Sequence, residues 1–136
     1  MSNIDRRTAL AFAVGAASAV VTGHTESALA AVGDETKIAE GVTVKVLSEG
    51  LSIIPGYRTV RIRDITMQPG SSFPPRQMMN AMVCHTLEGE LQVTQTERKF
   101  TADKGFVWTC NVGMTEAAAN TGNTVAVMRV ADLLPA

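Results

Sequence analysis

The chain has 136 residues, of which 46% are hydrophobic and 18% are charged, and its formal net charge is −1. This length and composition are those of one globular domain with a single modest core. Because the near-neutral charge supplies no general attraction for a phosphate backbone, we expect no nucleic-acid partner.

The first thirty residues have the pattern of an export signal. Arg6 and Arg7 lie near the start, an uncharged run follows over residues 8–23, and residues 28–30 form an A-x-A cleavage site. The apolar run is too short and too rich in Ala and Gly to span a bilayer, so we expect no stable membrane span.

We therefore predict a cleavable signal peptide at residues 1–30 and a mature domain at residues 31–136, located in the periplasm or secreted. The segment DRRTALA resembles a twin-arginine signal, although Ala9 stands where that motif usually has Phe.

Two alternating apolar runs predict the first strands of the mature domain. Over residues 42–47 valine occupies every second position, as expected for a half-buried strand. Over residues 57–67 the alternation through Val60 and Ile62 changes phase at Ile65 and Met67, which predicts a β-bulge near Asp64. Pro-Gly turns at residues 54–56 and 68–70 bound the second run.

The second half of the chain continues the same pattern. Leu91 and Val93 precede a polar edge at residues 94–99, a Lys-Gly turn leads into residues 106–108, and Val125, Val127 and Val130 predict a last strand. Short strands about every ten residues, separated by Gly, Pro and Asn, favour an all-β sandwich or small barrel.

The stretch at residues 69–93 carries the most informative spacing. Counted from Gly70, its glycines resemble the first motif of the cupin family, in which two His and a Glu lie between an opening and a closing Gly. Arg76 and Met78 stand at the two His positions, Met82 stands at the Glu position, and Gly89 is the closing Gly.

A second stretch resembles the other cupin motif with no gap. Gly105 is its opening Gly, Gly113 its inner Gly and Asn120 its Asn, while Glu116 stands at the His position. The resemblance covers most of residues 40–131 and implies an all-β, cupin-like jelly-roll β-barrel. It also implies a homodimer, since most small cupins associate through their sheets.

The same comparison implies that the usual metal set is lost. A guanidinium repels cations, and of the four matching positions only Glu116 is a hard metal ligand, so we expect neither a metal nor another cofactor. We expect Arg76 and Glu116 to form an ion pair inside the barrel. Three interpretations remain open: Arg76 is simply exposed at the barrel mouth, the pair is buried and purely structural, or Arg76 belongs to a site for a small and possibly anionic molecule. Met78, Met82, Glu116 and Cys84 would also line that site.

Two alternatives remain open from the residues themselves. The soft ligands Met78, Met79, Met82, Cys84 and His85 lie close together in the sequence and suit Cu(I) in a copper-binding periplasmic protein. Strand parity predicts that Met79 and His85 face away from the other three. Glu116 alone could serve a metal-independent enzyme as a general base, so whether the protein is an enzyme stays undecided.

Cys84 and Cys110 are the only two cysteines. An exported protein with two cysteines favours a disulfide, whereas two buried thiols are equally compatible with strand positions in a core. The resemblance places the two strands side by side, so the cysteines are expected to approach each other.

Overall fold

Ten β-strands account for the regular structure of residues 31–136, the part of the chain that this computed structural model describes. The predicted signal peptide lies outside the described residues. In chain order the strands are β1 (Glu35–Ala39), β2 (Val42–Leu51), β3 (Tyr57–Met67), β4 (Ser72–Gln77), β5 (Ala81–Glu88), β6 (Glu90–Gln95), β7 (Arg98–Asp103), β8 (Val107–Cys110), β9 (Thr115–Ala119) and β10 (Ala126–Pro135). No helix in residues 31–136 is long and apolar enough to cross a membrane.

The strands form two antiparallel sheets. The large sheet has the order β1-β2-β3-β10-β5-β8, and the small sheet has the order β4-β9-β6-β7. Each strand turns alternate side chains towards the space between the sheets, which is why Val42 and Val46 of β2 are buried while Lys45 is exposed. The buried apolar side chains include Val42, Val46, Ile65, Met67, Phe73, Leu91, Val93, Trp108, Ala118, Met128 and Val130.

Asn120 connects the turns at one end of the barrel. It is fully buried, and its side-chain amide donates to the backbone oxygens of Met67, at 2.9 Å, and Thr124, at 2.8 Å. Its backbone oxygen accepts from Gly70 N at 2.8 Å. The asparagine of the second motif therefore joins the end of β3 to the chain that follows β9.

The predicted bulge near Asp64 is wrong in its position. β3 pairs with β10 without interruption from Met67 to Thr59, and the irregularity lies in β2, between Val46 and Ser48. The apolar pattern of β3 changes phase because Arg61 and Arg63 occupy inward positions of a regular strand. Charged side chains, and not an extra residue, break the alternation.

Two further differences concern the second half. The last strand exists as predicted, but Val125 and Val127 point outward while Met128 and Val130 are buried. The polar segment 94–99 contains a two-residue turn between β6 and β7, at residues 96 and 97. That hairpin has neither Gly nor Pro at its turn, so the usual signal was missing.

Candidate functional site

A cavity of about 180 Å³ opens between the two sheets. All five side chains predicted to bind a ligand lie in its wall: Arg76 on β4, Met78 in the following turn, Met82 and Cys84 on β5, and Glu116 on β9. Ile65, Phe73, Met128 and Val130 add apolar surface.

Glu116 is the most tightly held polar group of this wall. Its side chain is 3% exposed, and its Oε2 accepts hydrogen bonds from three donors. These are Gln95 Nε2 at 2.9 Å, Trp108 Nε1 at 3.2 Å and Cys110 Sγ at 2.7 Å. A buried carboxylate needs such partners, because burying it without them would cost several kcal/mol (roughly).

The expected ion pair between Arg76 and Glu116 is wrong. The two residues are directly opposite each other in the β4–β9 register, but the ion pairs formed within residues 31–136 do not include them. Arg76 is exposed at the rim, and its guanidinium lies 5.8 Å from the ring centroid of Phe73. Glu116 is satisfied by donors of the core, so the guanidinium keeps its water instead of being buried.

Cys84 and Cys110 are both buried, and both thiols are free. One ligand atom of each cysteine and one of Glu116 lie within 4.8 Å of one another. The hydrogen bond with Cys110 raises the pKa of the Cys84 thiol, and burial and the nearby charge of Glu116 raise it further. Cys84 therefore stays protonated well above the pH at which an exposed cysteine ionises.

Sequence reasoning missed three members of this site. The sequence connects Cys110 only with Cys84, and it predicts no role in the site for Gln95 or Trp108. Trp108 is the only tryptophan of the chain and lies in an alternating strand, so its indole N–H requires a buried acceptor. That requirement was the available signal.

Three arginines line an adjoining cavity of about 330 Å³, which shares Arg63 and Arg76 with the first. Arg63 makes two bonds to Asp132, at 2.7 and 3.1 Å. Arg61 bonds Glu49 at 3.2 Å, while its Nε is buried and has no acceptor within residues 31–136. This end of the barrel therefore has more guanidinium groups than carboxylates in contact with them.

The soft ligands considered for copper separate only in part as strand parity predicts. Met78, Met82 and Cys84 lie around the first cavity, and His85 lies on the outer face of β5, opposite Val107 of β8. Met79 was predicted to face away but also lines that cavity, because it lies in the turn between β4 and β5, where strand parity does not apply. The four positions that correspond to the cupin metal ligands do not fit a metal together. One is an exposed guanidinium, two are thioethers, and Oε2 of the fourth is already bonded to three donors.

Comparison with known proteins finds similarity at the level of structure. No protein-family model and no curated protein matches the chain. The cupin domain of Schizosaccharomyces pombe Cnp3 is 16% identical over 83% of this chain and 74% of that chain, with a TM-score of 0.60. An RmlC-like cupin family protein with a double-stranded β-helix fold, from Methanocaldococcus jannaschii, is 15% identical over 83% of this chain and 94% of that chain, with a TM-score of 0.58.

A predicted oxalate decarboxylase from Thermotoga maritima is 19% identical over 76% of this chain and 92% of that chain, with a TM-score of 0.57. These identities are low, so the similarity shows a shared fold and nothing more. The spacing of glycines along the sequence predicted this fold, and the two antiparallel sheets of the chain confirm it. The chain has the jelly-roll fold of the RmlC-like cupins.

Proposed function

We propose that this protein binds a small organic anion, such as a carboxylate, in the cavity between its sheets. The observation that carries the proposal is Arg76, which lies at the rim of an otherwise largely apolar cavity and has no carboxylate partner within residues 31–136. A planar guanidinium can bind both oxygens of a carboxylate at once.

The size of the cavity limits the ligand. An apolar protein cavity of about 150 Å³ accommodates benzene, so a cavity of this volume suits a molecule of about six to ten non-hydrogen atoms. Met78 and Met82 offer flexible, polarizable surface for its apolar part. The ligand class is therefore a small carboxylic acid with a short or cyclic carbon skeleton.

At the rim, where the arginines lie, charge favours an anion over a cation or a neutral molecule. Arg63 is largely neutralised by its two bonds to Asp132, so Arg76 is the guanidinium that can turn to an incoming ligand. Burial of the ligand's carboxylate near Arg63 and Arg61 would add favourable potential. Arg61 Nε, which has no acceptor in the part of the chain that the structure describes, supports the same preference, because an anion entering the adjoining cavity brings acceptors to this end.

The test is a thermal-shift screen with small mono- and dicarboxylates, followed by calorimetry on the hits. Oxalate belongs in the panel because the Thermotoga maritima neighbour is described as a predicted oxalate decarboxylase. We expect Arg76→Met to weaken binding about tenfold or more, since a charge-assisted bond contributes roughly 1.5–3 kcal/mol.

Arg58→Met is the matched control, because Arg58 is exposed at the start of β3 and outside the walls of both cavities. It removes the same charge and should leave binding unchanged. Equal losses in the two variants would point to a general charge effect and would contradict the proposal. Binding by no member of the panel at millimolar concentration would contradict it as well.

We also propose that residues 1–30 direct export and are removed. The support is the order of arginines, uncharged run and A-x-A site in the sequence. Intact mass of the protein recovered from the periplasm or the medium should correspond to a chain that begins at Ala31. Recovery of the full-length chain only, from the cytoplasm, would contradict this proposal.

A further inference from the structure

Two thiols and a carboxylate meet where β5, β8 and β9 approach each other, and their chemistry differs from that of the arginine rim. We infer that Cys84, Cys110 and Glu116 form a binding site for Zn²⁺. This inference goes beyond anion binding and does not depend on it. It also departs from the expectation, drawn from the sequence, that no metal binds.

The distances suit a zinc ion. With zinc–sulfur bonds of about 2.3 Å and zinc–oxygen bonds of about 2.0 Å, tetrahedral geometry separates two sulfurs by roughly 3.8 Å and a sulfur from an oxygen by roughly 3.5 Å. The three ligand atoms already lie within 4.8 Å of one another. Side-chain rotation can therefore close the site without movement of the strands.

Within residues 31–136, Oε1 of Glu116 accepts no hydrogen bond and is therefore available to a metal ion. Its hydrogen bonds from Gln95, Trp108 and Cys110 all end on Oε2, and the residue lines the cavity. Oε1 can therefore bind zinc while Oε2 keeps its bonds to the indole and the amide. Only the bond from Cys110 must open, and it opens because that thiol loses its proton to become a ligand.

The donor set selects among metals. Two thiolates disfavour Mg²⁺ and Ca²⁺, which prefer oxygen, and the carboxylate favours Zn²⁺ over Cu⁺. Binding is an exchange that balances: Zn²⁺ takes the place of the two thiol protons, and both protons leave to solvent. No oxidant or reductant is required.

The strand register argues for a metal site rather than a disulfide. Cys84 pairs with Trp108, and Cys110 pairs with Met82, so the two cysteines are diagonal neighbours on β5 and β8. Diagonal neighbours have Cα atoms about 7–8 Å apart, whereas a disulfide requires roughly 4.4–6.8 Å. An ion between the sulfurs bridges that longer distance with ordinary bond lengths.

The surroundings hold the ligands in place, as outer groups do in zinc proteins. Gln95 Nε2 donates to both Glu116 and Cys110 Sγ, at 2.9 and 3.2 Å. The amide cannot turn over freely, because its oxygen accepts from Arg98 Nε at 2.9 Å. Trp108 fixes the carboxylate from a second direction.

An entry path and an open coordination position come from the cavity. Cys84 and Glu116 form part of its wall, so an ion can arrive from there and keep a water as its fourth ligand. The ligands are not those of the cupin metal set. Of the four matching positions only Glu116 takes part, and the two thiols come from β5 and β8 of the large sheet.

The test uses the full chain, reduced and freed of metal by a chelator, then titrated with Zn²⁺ against a chromogenic competitor. We expect one Zn²⁺ per chain and, with Co²⁺ in its place, a thiolate-to-cobalt charge-transfer band. Cys84→Ala and Cys110→Ala should abolish both signals. Trp108→Phe, which keeps an aromatic side chain but loses the indole N–H together with one of its two rings, should weaken zinc binding about 10–100-fold.

His85→Ala is the matched control, since it removes a metal-binding side chain on the outer face of β5 and should change nothing. Should the cysteine variants fail to fold, the wild-type protein decides, because its Co²⁺ complex shows the thiolate-to-cobalt band only when the cysteines are ligands. The proposal is overturned if the wild-type protein binds no Zn²⁺. It is overturned equally if the protein binds Cu⁺ alone, if the Co²⁺ complex lacks the thiolate band, or if His85→Ala abolishes binding.

Discussion

Gly89 closes the first motif, and its replacement by alanine should strongly destabilise the barrel. The residue has a φ of +71°, in the left-handed region. A Cβ there would lie 2.7 Å from the backbone oxygen of Val125 and 2.9 Å from Cα of Ala126. Both atoms belong to the backbone, at the first residue of β10 and the residue before it, so neither can move aside as a flexible side chain would.

The second motif offers the matched control. Gly105 has a φ of +89°, but a Cβ at that position would meet nothing within 4 Å. At both sites, alanine in the left-handed region destabilises the folded state by about 1–2 kcal/mol. At both sites, alanine also lowers the conformational entropy of the unfolded chain, which stabilises the protein by about 0.4–1 kcal/mol. Only Gly89→Ala adds overpacking against backbone, which costs about 1–3 kcal/mol.

We therefore expect a loss of about 1 kcal/mol for Gly105→Ala and about 2–4 kcal/mol for Gly89→Ala. In a domain of this size each kcal/mol lowers Tm by about 4–8 °C. Urea unfolding measures the difference directly, with the slope m checked for constancy. Equal losses in the two variants would refute the reasoning, because they would show that close approach of β10 contributes nothing.

Three other perturbations test the polar groups of the barrel. Asp132→Ala should lower the free energy of unfolding by about 3 kcal/mol, because it leaves the partly buried Arg63 without its carboxylate. Asp64→Ala breaks the more exposed pair with Arg129 and should cost less than about 1 kcal/mol. Similar urea midpoints for the two variants would contradict this expectation. Asn120→Ala should cost about 2–3 kcal/mol, since Met67 O loses its buried donor, and an unchanged Tm would argue against the role of that amide. The third expectation concerns the pH dependence of stability in the metal-free protein. Because the pKa of the Cys84 thiol is raised in the folded chain, that thiol keeps its proton above about pH 8.5, where the same thiol of the unfolded chain loses it. Stability should then fall by about 1.4 kcal/mol per pH unit above that value, and the fall should be absent in Cys84→Ala; identical pH profiles would contradict the expectation.

The fold was largely predictable because it follows from local signals. The valines of β2 alternate, Pro-Gly turns bound β3, and the glycines of both motifs lie at turns of the structure, with Gly70, Gly89, Gly105 and Gly113 all at positive φ. Each of these signals depends on a few neighbouring residues and on the steric freedom of glycine. Where the signal was absent, as at the turn of residues 96 and 97, the hairpin was missed.

The candidate site was only half predictable. The spacing of the motifs brought Arg76, Met78, Met82 and Glu116 together, and all four line one cavity with Cys84. The predicted partner of Glu116, Arg76, was wrong, because a carboxylate between two sheets has several hydrogen-bond donors within reach. Which donor it bonds depends on the rotation of side chains from three strands.

Sequence by itself determined the all-β class, the positions of most turns and the parity that turns Cys84 inward and His85 outward. These are properties of the chain over a few residues, where backbone sterics and the period of the strand decide. Tertiary structure alone decided that the side chains of Arg61 and Arg63 face inward from a regular strand. It also decided that Gln95, Trp108 and Cys110 all donate hydrogen bonds to Glu116. Those contacts join residues far apart in the chain, and their energies depend on burial and on competing hydrogen-bond donors, which no local pattern records.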